Sequence, residues 1–329
     1  MGTRILVTGA TGFIGGRVAA AAAAHPDLDH VRLLVRRADA ADTAYAAYAA
    51  GGDAGRVSGP VVETVRGDLR DPGTLRRACD GVDAVVHCAS AIGGDEGVLR
   101  AVNEHGTRDL VEAAVRAGAG RIVALSTASV HGRGPFRAAA PGDLPLAPGS
   151  ATSRTRAAGE RHVLDAGGSV LRPHLVFGTG DRQVVPGLLT LLAALPGPLA
   201  DNGSLHSMVE VESLAGALLG AALSPATRPG AYGVAHPDPV SDAELLAAVE
   251  PLLPAAVRAA RGPAVGLDEA RALLAGHPVA AHHLEMFAVD HWFADERPWT
   301  DFGRGPGPAF TAAFPRHLPW YRELLAARG

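Results

Sequence analysis

Residues 8–15 read TGATGFIG, with Gly9, Gly12 and Gly15 spaced three apart. An apolar run, RILVT (4–8), precedes them, and an alanine-rich run to about His25 follows. A strand feeding a glycine turn that opens a helix leaves few folds available to the chain. Residues without a Cβ permit the tight turn and let backbone approach a ligand closely. The helix start adds free N–H groups and a partial positive charge, which suits a pyrophosphate. The competing reading is a chance glycine cluster at an ordinary turn, and the order strand, turn, helix argues against it. The segment Gly9, Thr11, Gly12, Phe13, Ile14 and Gly15 is therefore expected to cradle a dinucleotide.

The same alternation continues. Further apolar runs lie at 31–36, 61–68, 83–90, 121–129 and 169–173, with helical stretches at 74–79, 98–117 and 155–165 between them. Continuous apolar strands separated by helices predict an α/β chain, a doubly wound parallel sheet covered on both faces. Residues 1–178 are read as the dinucleotide-binding domain, with a return segment at about 207–235. Residues 179–206 and 236–329 are read as a smaller, mostly helical substrate-binding lobe and lid. The stretch 38–60, rich in Ala, Gly and Asp, reads as a mobile loop or short helix.

Composition narrows the partners. With 329 residues, 47% hydrophobic, the chain can bury a large core without disulfides or metals. A net charge of −4 gives no footprint for nucleic acid. Cys79 and Cys88 lack metal-ligand spacing and suit a reducing compartment. The longest helix-like apolar run, 18–24, is far too short to span a bilayer. A strand beginning by Arg4 leaves no room for a signal peptide. The expectation is a cytoplasmic protein with a small-molecule substrate and neither nucleic acid nor membrane as partner. All 30 basic residues are arginine, so no lysine is available to relay a proton.

The end of the second strand selects the nucleotide. It reads LLVRR, with Arg36 and Arg37 and no carboxylate before Asp39. A carboxylate there would bind a ribose 2′-hydroxyl, whereas guanidinium groups suit a 2′-phosphate. A solvated surface pair is the plainer alternative. NADP(H) is expected.

Beyond the glycine turn, several motifs stand in order over about residues 1–235. They are Asp68-Leu69, HCAS (87–90), VNEHGTRDL (102–110), LSTASVHG (125–132) and LRPHLVFGTGD (171–181). Together they resemble the extended short-chain dehydrogenase/reductase family, of the NAD-dependent epimerase/dehydratase type. The resemblance implies that Asp68 and Leu69 hold the adenine and that Cys88, Ala89 and Ser90 run past the nicotinamide ribose. It implies further cofactor contacts from Ser126, Arg156, Pro173, His174 and Val176. Thr127 takes the position of the catalytic hydroxyl, and Asn103 is read as structural.

One motif is broken. The family pattern is Tyr-x-x-Ser/Thr-Lys-x-x-x-Glu, and this chain has SATSRTRAAGE at 150–160. Aligned on Thr155 and Glu160, Thr152 stands where the tyrosine belongs and Arg156 where the lysine belongs. In the family the tyrosine gives its proton to the carbonyl oxygen, and the lysine lowers the tyrosine pKa and binds the nicotinamide ribose. Arg156 can hold ribose hydroxyls and positive charge but cannot relay a proton. An alkyl hydroxyl at Thr152 is a far weaker acid than a phenol. Positioned general acids contribute about 10²–10⁴-fold, or about 3–5.5 kcal/mol, while orientation of reactants can supply about 7–11 kcal/mol. Hydride transfer therefore survives the loss if the developing alkoxide is stabilised in some other way.

Thr127 and Ser90 are the expected catalytic pair, steadying the oxygen, with a water or a substrate hydroxyl completing protonation. His131 is read as structural; His174 is open between pocket lining and packing. The uncharged run 184–199 reads either as a core helix or as a lid over an apolar substrate. AHHLEMFAVDHWF (281–293) reads as a buried aromatic cluster near two histidines; with no third ligand at suitable spacing, no metal is expected. Within the family, the missing residues resemble ketoreductases that tailor angucyclinone-type polyketides. That resemblance implies an NADPH-dependent ketoreductase. Two other readings stay open: a non-catalytic NADP-binding sensor or scaffold, and a sugar-nucleotide ketoreductase, epimerase or dehydratase, for which Arg182, Arg258 and Arg261 could meet a diphosphate.

Overall fold

The computed structural model describes residues 2–37 and 59–327. Asp39 and almost all of the stretch expected as a loop or short helix lie outside the described residues. Seven parallel strands form the main sheet: β1 (Thr3–Thr8), β2 (Leu28–Val35), β3 (Val61–Arg66), β4 (Ala84–His87), β5 (Arg121–Leu125), β7 (Ser169–Pro173) and β11 (Gly230–Val234). Their order is β11-β7-β5-β4-β1-β2-β3. The chain reverses direction across the sheet between β1 and β4, which opens a crevice at the C-terminal ends of those strands.

Both faces are covered, as the apolar strands require. Helices Phe13–Ala23 and Val211–Leu223 pack Val18, Ala22, Leu214 and Leu218 against one face. Helices Pro72–Cys79, Thr107–Arg116 and Ala151–Asp165 pack Leu75, Leu110 and Val163 against the other. The helical stretch expected at 98–117 is continuous but changes pitch. It runs Glu96–Arg100 as α-helix and Ala101–Gly106 as π-helix before Thr107–Arg116. Asn103 sits in the π turn, a wide helical turn that frequently marks functional sites. Its side-chain amide accepts from Ala91 N at 2.8 Å and donates to Ala91 O and to Thr155 Oγ1. It thus ties the segment after β4 to the helix Ala151–Asp165, a structural role.

The second lobe has its own core, including Leu188, Leu191, Leu245, Leu284 and Phe314. The run expected at 184–199 supplies the helix Val184–Ala193, and its leucines are buried there. Besides its helices, the lobe has a small sheet. Strands β6 (Phe136–Ala139), β9 (Leu205–His206), β12 (Val240–Ser241) and β13 (His291–Phe293) form a mixed sheet in the order β12-β9-β13-β6. Each has two to four residues, too few for an alternating pattern to stand out. Their pairing sets His291 beside both His206 and Phe136. Two further short strands, β8 (Leu175–Phe177) and β10 (Met208–Glu210), pair in parallel beneath the lobe. No helix among the described residues is long and apolar enough to cross a membrane.

One buried ion pair joins the layers near the crevice. Arg172 of β7 is 5% exposed and Glu160 of the helix Ala151–Asp165 is 3% exposed. Arg172 donates Nη2 to Glu160 Oε2 at 2.6 Å and Nε to Oε1 at 3.2 Å. Removing one partner of such a pair leaves an uncompensated buried charge. Glu160→Ala is therefore expected to lower the unfolding free energy by about 3–5 kcal/mol, read from the urea midpoint. Glu160→Met with Arg172→Met should recover most of it. A loss under about 1 kcal/mol in the single variant would show that the pair does not hold these layers together.

Candidate active site

The glycine turn has the cradle geometry that its sequence implies. Gly9 follows β1 at φ +73°, and a Cβ there would lie 2.7 Å from Ala89 N. A Cβ on Gly15 would lie 2.2 Å from Gly9 O. Gly12 caps the helix Phe13–Ala23 without a side-chain hydrogen bond, so the first N–H groups stay free for an anion. Thr11 and Gly12 are exposed at the turn, while Phe13 and Ile14 are half-buried beside the core. The backbone of Cys88 and Ala89 runs beside Gly9 and is fixed to β1 by two bonds. Cys88 N donates to Thr8 O, and Ala89 N donates to Thr8 Oγ1 at 3.2 Å.

Under this turn lies His87, buried and neutral. Its Nδ1 is 2.7 Å from Thr8 Oγ1 and its Nε2 is 3.0 Å from Thr107 Oγ1. Burial, reinforced by the Arg156 charge, pushes its pKa down to about 4. At the other end of the crevice, Asp68 meets Arg70 in a bidentate pair, with Oδ2 2.8 Å from Nη2. That hydrogen-bonded guanidinium holds the carboxyl down to about 2, and Arg36 adds to the effect. Asp68 is thus an anion at neutral pH, available to an adenine amino group only by sharing its oxygens with Arg70. Leu69 is buried against Gly106, where a Cβ would come within 2.8 Å of its own. Arg36 and Arg37 are both exposed at the end of β2. These features fit a dinucleotide with its pyrophosphate at the glycine turn and its adenosine toward β2 and β3.

Arg156 lies where a lysine would, but its hydrogens are partly committed. Nη1 donates to Ser90 Oγ at 3.1 Å and Nη2 donates to Leu125 O at 2.8 Å. With Ser90, Ala89, Ser126 and Leu125 it lines a hollow of about 20 Å³ beneath the crevice. Ser126 Oγ is buried there without a partner. Thr152 accepts a hydrogen bond from Gly93 N at 3.2 Å, tethering the loop after β4.

Thr127 and Ser90 make no hydrogen bond to each other. Thr127 Oγ1 accepts from Ser129 N and donates to Ser129 Oγ, both at 3.1 Å. It therefore caps the short 3₁₀ turn Ala128–His131. Ser129 is exposed and lines a separate cavity of about 200 Å³ between the two lobes. Its own proton remains free to donate toward a ligand, since Thr127 already supplies the hydrogen between them. Ser129 escaped sequence reasoning; its only signal is a position two residues beyond Thr127. The remaining walls of the cavity include Ser150 and Ser153 at the start of the helix Ala151–Asp165, His174 after β7, Met286, His291 and Phe293. Pro173 ends β7, and Val176 is packed in the sheet core beside Val209 and Val211. Val176 can reach a ligand only through its backbone.

His131 is structural. Its Nδ1 lies 3.1 Å from Pro145 O and its Nε2 3.3 Å from Arg172 Nη1. A carbonyl only accepts and a guanidinium only donates, so the proton sits on Nδ1. Burial, against the pull of the Pro145 carbonyl, lowers its pKa from the ordinary imidazole value. His174 does both things expected of it, lining the cavity and stacking on His291 with centroids 4.9 Å apart and planes 11° apart.

His206 continues the stack on His291 at 6.4 Å, so three histidines from three separate segments gather here. They do not form a metal centre. Rings so nearly parallel cannot all place their in-plane lone pairs on one ion about 2.0–2.1 Å away. Both His291 nitrogens are also engaged, Nδ1 with Val289 O and Nε2 with Gly134 N.

Residues 5–204 match the model of the NAD dependent epimerase/dehydratase family. The chain is 31% identical over 274 residues to the 2-alkyl-3-oxoalkanoate reductase of Stenotrophomonas maltophilia, covering 74% of this chain and 82% of that one. It is 30% identical over 264 residues to the 3 beta-hydroxysteroid dehydrogenase/Delta 5-->4-isomerase of Mycobacterium tuberculosis, covering 72% and 66% respectively. Among solved structures, the terminal R domain of the myxalamid PKS-NRPS pathway superposes with a TM-score of 0.75 at 20% identity, over 100% of this chain and 92% of that one. The dTDP-glucose 4,6-dehydratase DesIV of Streptomyces venezuelae, with NAD bound, gives 0.72 at 24% identity over 98% and 97%. The glycine turn, the parallel sheet and these relatives agree: the chain belongs to the NAD dependent epimerase/dehydratase family of extended short-chain dehydrogenases/reductases and is an oxidoreductase that binds a nicotinamide nucleotide.

Proposed function

We propose that the protein is an NADPH-dependent ketoreductase acting on a carbonyl of an apolar, aromatic polyketide-type substrate without the usual Tyr/Lys pair. The observation that carries this reading is the chemistry of the cavity between the lobes. Met286, His174, His291 and Phe293 give it ring and thioether walls, and among the described residues Glu285 and Arg133 are the only acidic and arginine side chains lining it. Glu285 is already paired with Arg271 at 2.9 Å. A dehydration needs one group to protonate the departing hydroxyl and another to take the α-proton, and a single committed carboxylate serves that poorly. A nucleotide diphosphate calls for several cations, yet Arg182, Arg258 and Arg261 do not line the cavity, and Arg261 is held by Glu250 and Gly197 O. By their names, the relatives include a reductase of 2-alkyl-3-oxoalkanoates and a dehydrogenase of 3 beta-hydroxysteroids.

A bound nicotinamide supplies the hydride. The chain's residues bind, orient and exclude water around it. Arg156 keeps positive charge under the crevice, Ser129 offers a hydroxyl to the carbonyl oxygen, and Thr127 orients Ser129. The proton reaches the alkoxide through a hydroxyl beside the carbonyl on the substrate, or through a water. Incubation with NADPH and hydroxyaryl ketones is expected to consume NADPH and give the alcohol by mass. Tight NADPH binding with no turnover of these ketones or of keto-sugar nucleotides would instead support a non-catalytic binding protein.

Arg36 and Arg37 are assigned to the 2′-phosphate. Charge-assisted hydrogen bonds are worth about 1.5–3 kcal/mol each. Arg36→Ala with Arg37→Ala should therefore weaken NADPH by at least about tenfold while leaving NADH within about twofold, as measured by nucleotide fluorescence titration. Equal losses for the two nucleotides would remove the NADPH assignment.

A further inference from the structure

His174 is half-buried on the wall of the inter-lobe cavity. Its Nε2 is buried without a hydrogen-bond partner, whereas its Nδ1 is not among the buried unpartnered nitrogens. The two neighbouring rings have fixed tautomers. Ser204 Oγ donates its one hydrogen to Phe287 O at 2.9 Å, so at 3.0 Å it accepts from His206 Nε2–H. His206 Nδ1 is left as a buried lone pair. His291 donates from Nδ1 to Val289 O and accepts at Nε2 from Gly134 N. One nitrogen of each ring lies within 4.8 Å of the other two. A neutral imidazole carries only one proton, here taken on the buried Nε2. The Nδ1 lone pair then remains for the cavity.

We propose that His174 Nδ1 is a catalytic base of this site, the protein's end of the proton path that the missing tyrosine would have supplied. The assignment rests on the oxidoreductase reading above. In the oxidation direction, the alcohol O–H bond breaks and its proton passes, through the neighbouring substrate hydroxyl or a water, to Nδ1. The C–H electron pair leaves with its hydrogen as hydride for the oxidised nicotinamide nucleotide, and C=O forms. In reduction the imidazolium returns the proton along the same path as the alkoxide develops. Burial holds the imidazole well below its ordinary pKa, and His291 and His206 oppose a positive charge beside them. His282 and Glu285, from the helix Pro278–Phe287, and Arg133, before β6, face the same cavity. The ring is therefore neutral at neutral pH. Oxidation should fail on the acid side as His174 protonates, and reduction should gain there.

The test compares the wild type with His174→Asn, whose amide keeps the polar contact but cannot take a proton. In ¹⁵N spectra of the NADP⁺ complex at about pH 7, the imidazole signals lost in the variant should show Nε2 protonated and Nδ1 bare. A protonated Nδ1 overturns the proposal. With a hydroxy-tetralol and NADP⁺, the variant's kcat should fall by about 10²–10⁴-fold and lose the acid limb, with KM and NADP⁺ binding within about twofold. A kcat within about threefold and an unchanged pH profile also overturns it. If the variant does not fold, single-turnover oxidation by the wild type decides: an acid limb of one proton is expected, and a flat profile sinks the assignment. Wild type inactive on every ketone and alcohol would remove the reductase reading itself, whereas a fully active variant removes only His174.

Discussion

The Arg172–Glu160 pair ties together three of the segments from which the active site is built. Arg172 lies two residues before His174 on β7, and Glu160 lies one helical turn beyond Arg156. A third arm of the same guanidinium reaches His131, which closes the turn started by Thr127. The hydroxyl segment, the helix of the altered motif and the strand leading to the cavity therefore share one buried charge. The cost of taking two ions out of water is recovered only through good geometry and full hydrogen bonding. Here both carboxylate oxygens and the guanidinium have partners. A site so fixed can lose its tyrosine and still hold the remaining groups in place.

What fills the vacated positions is informative. Thr152 no longer points to acid chemistry, because it receives a backbone N–H from Gly93. Arg156 divides its hydrogens between Ser90 and the Leu125 carbonyl, an arrangement that suits a planar fork better than an ammonium. Ser90 receives one of those hydrogens and lines the hollow beneath the crevice with Ser126. Among the serines lining the inter-lobe cavity, Ser129 is the one aligned by Thr127 behind it.

The dinucleotide half was legible because its signals are local. Gly9, Gly12 and Gly15 show themselves by spacing, and β1, β4, β5 and β7 by uninterrupted apolar runs. The substrate lobe was not legible. Strands of two or three residues at Leu205–His206, Val240–Ser241 and His291–Phe293 carry no period, and their pairing depends on contacts between residues far apart in sequence. The same reason hid the histidine stack. His174, His206 and His291 come from three separate segments, and only the register of β9 with β13 sets two of them side by side. Reading AHHLEMFAVDHWF alone gave an aromatic cluster, correct for Phe287 and Phe293 but silent about His174 and His206.

A chain whose basic side chains other than histidine are all arginine has a particular difficulty with proton transfer. Arginine keeps its charge at any working pH, so Arg156 can attract an alkoxide but cannot neutralise it. Burial lowers the affinity of Arg156 for its proton, yet Glu160 pulls the other way. Cys88, beside it, is pushed up to about 12 by burial and stays a thiol. The hydroxyls of Ser129 and Thr127 pass a proton only when another group receives one. Imidazole is the side chain that can exchange a proton without a large change in pH, although burial holds His174 well below the ordinary value, and the cavity wall is where this fold has gathered imidazoles. Keeping His174 free of a fixed partner, while Ser204 and Gly134 occupy its two neighbours, leaves one lone pair for the substrate side.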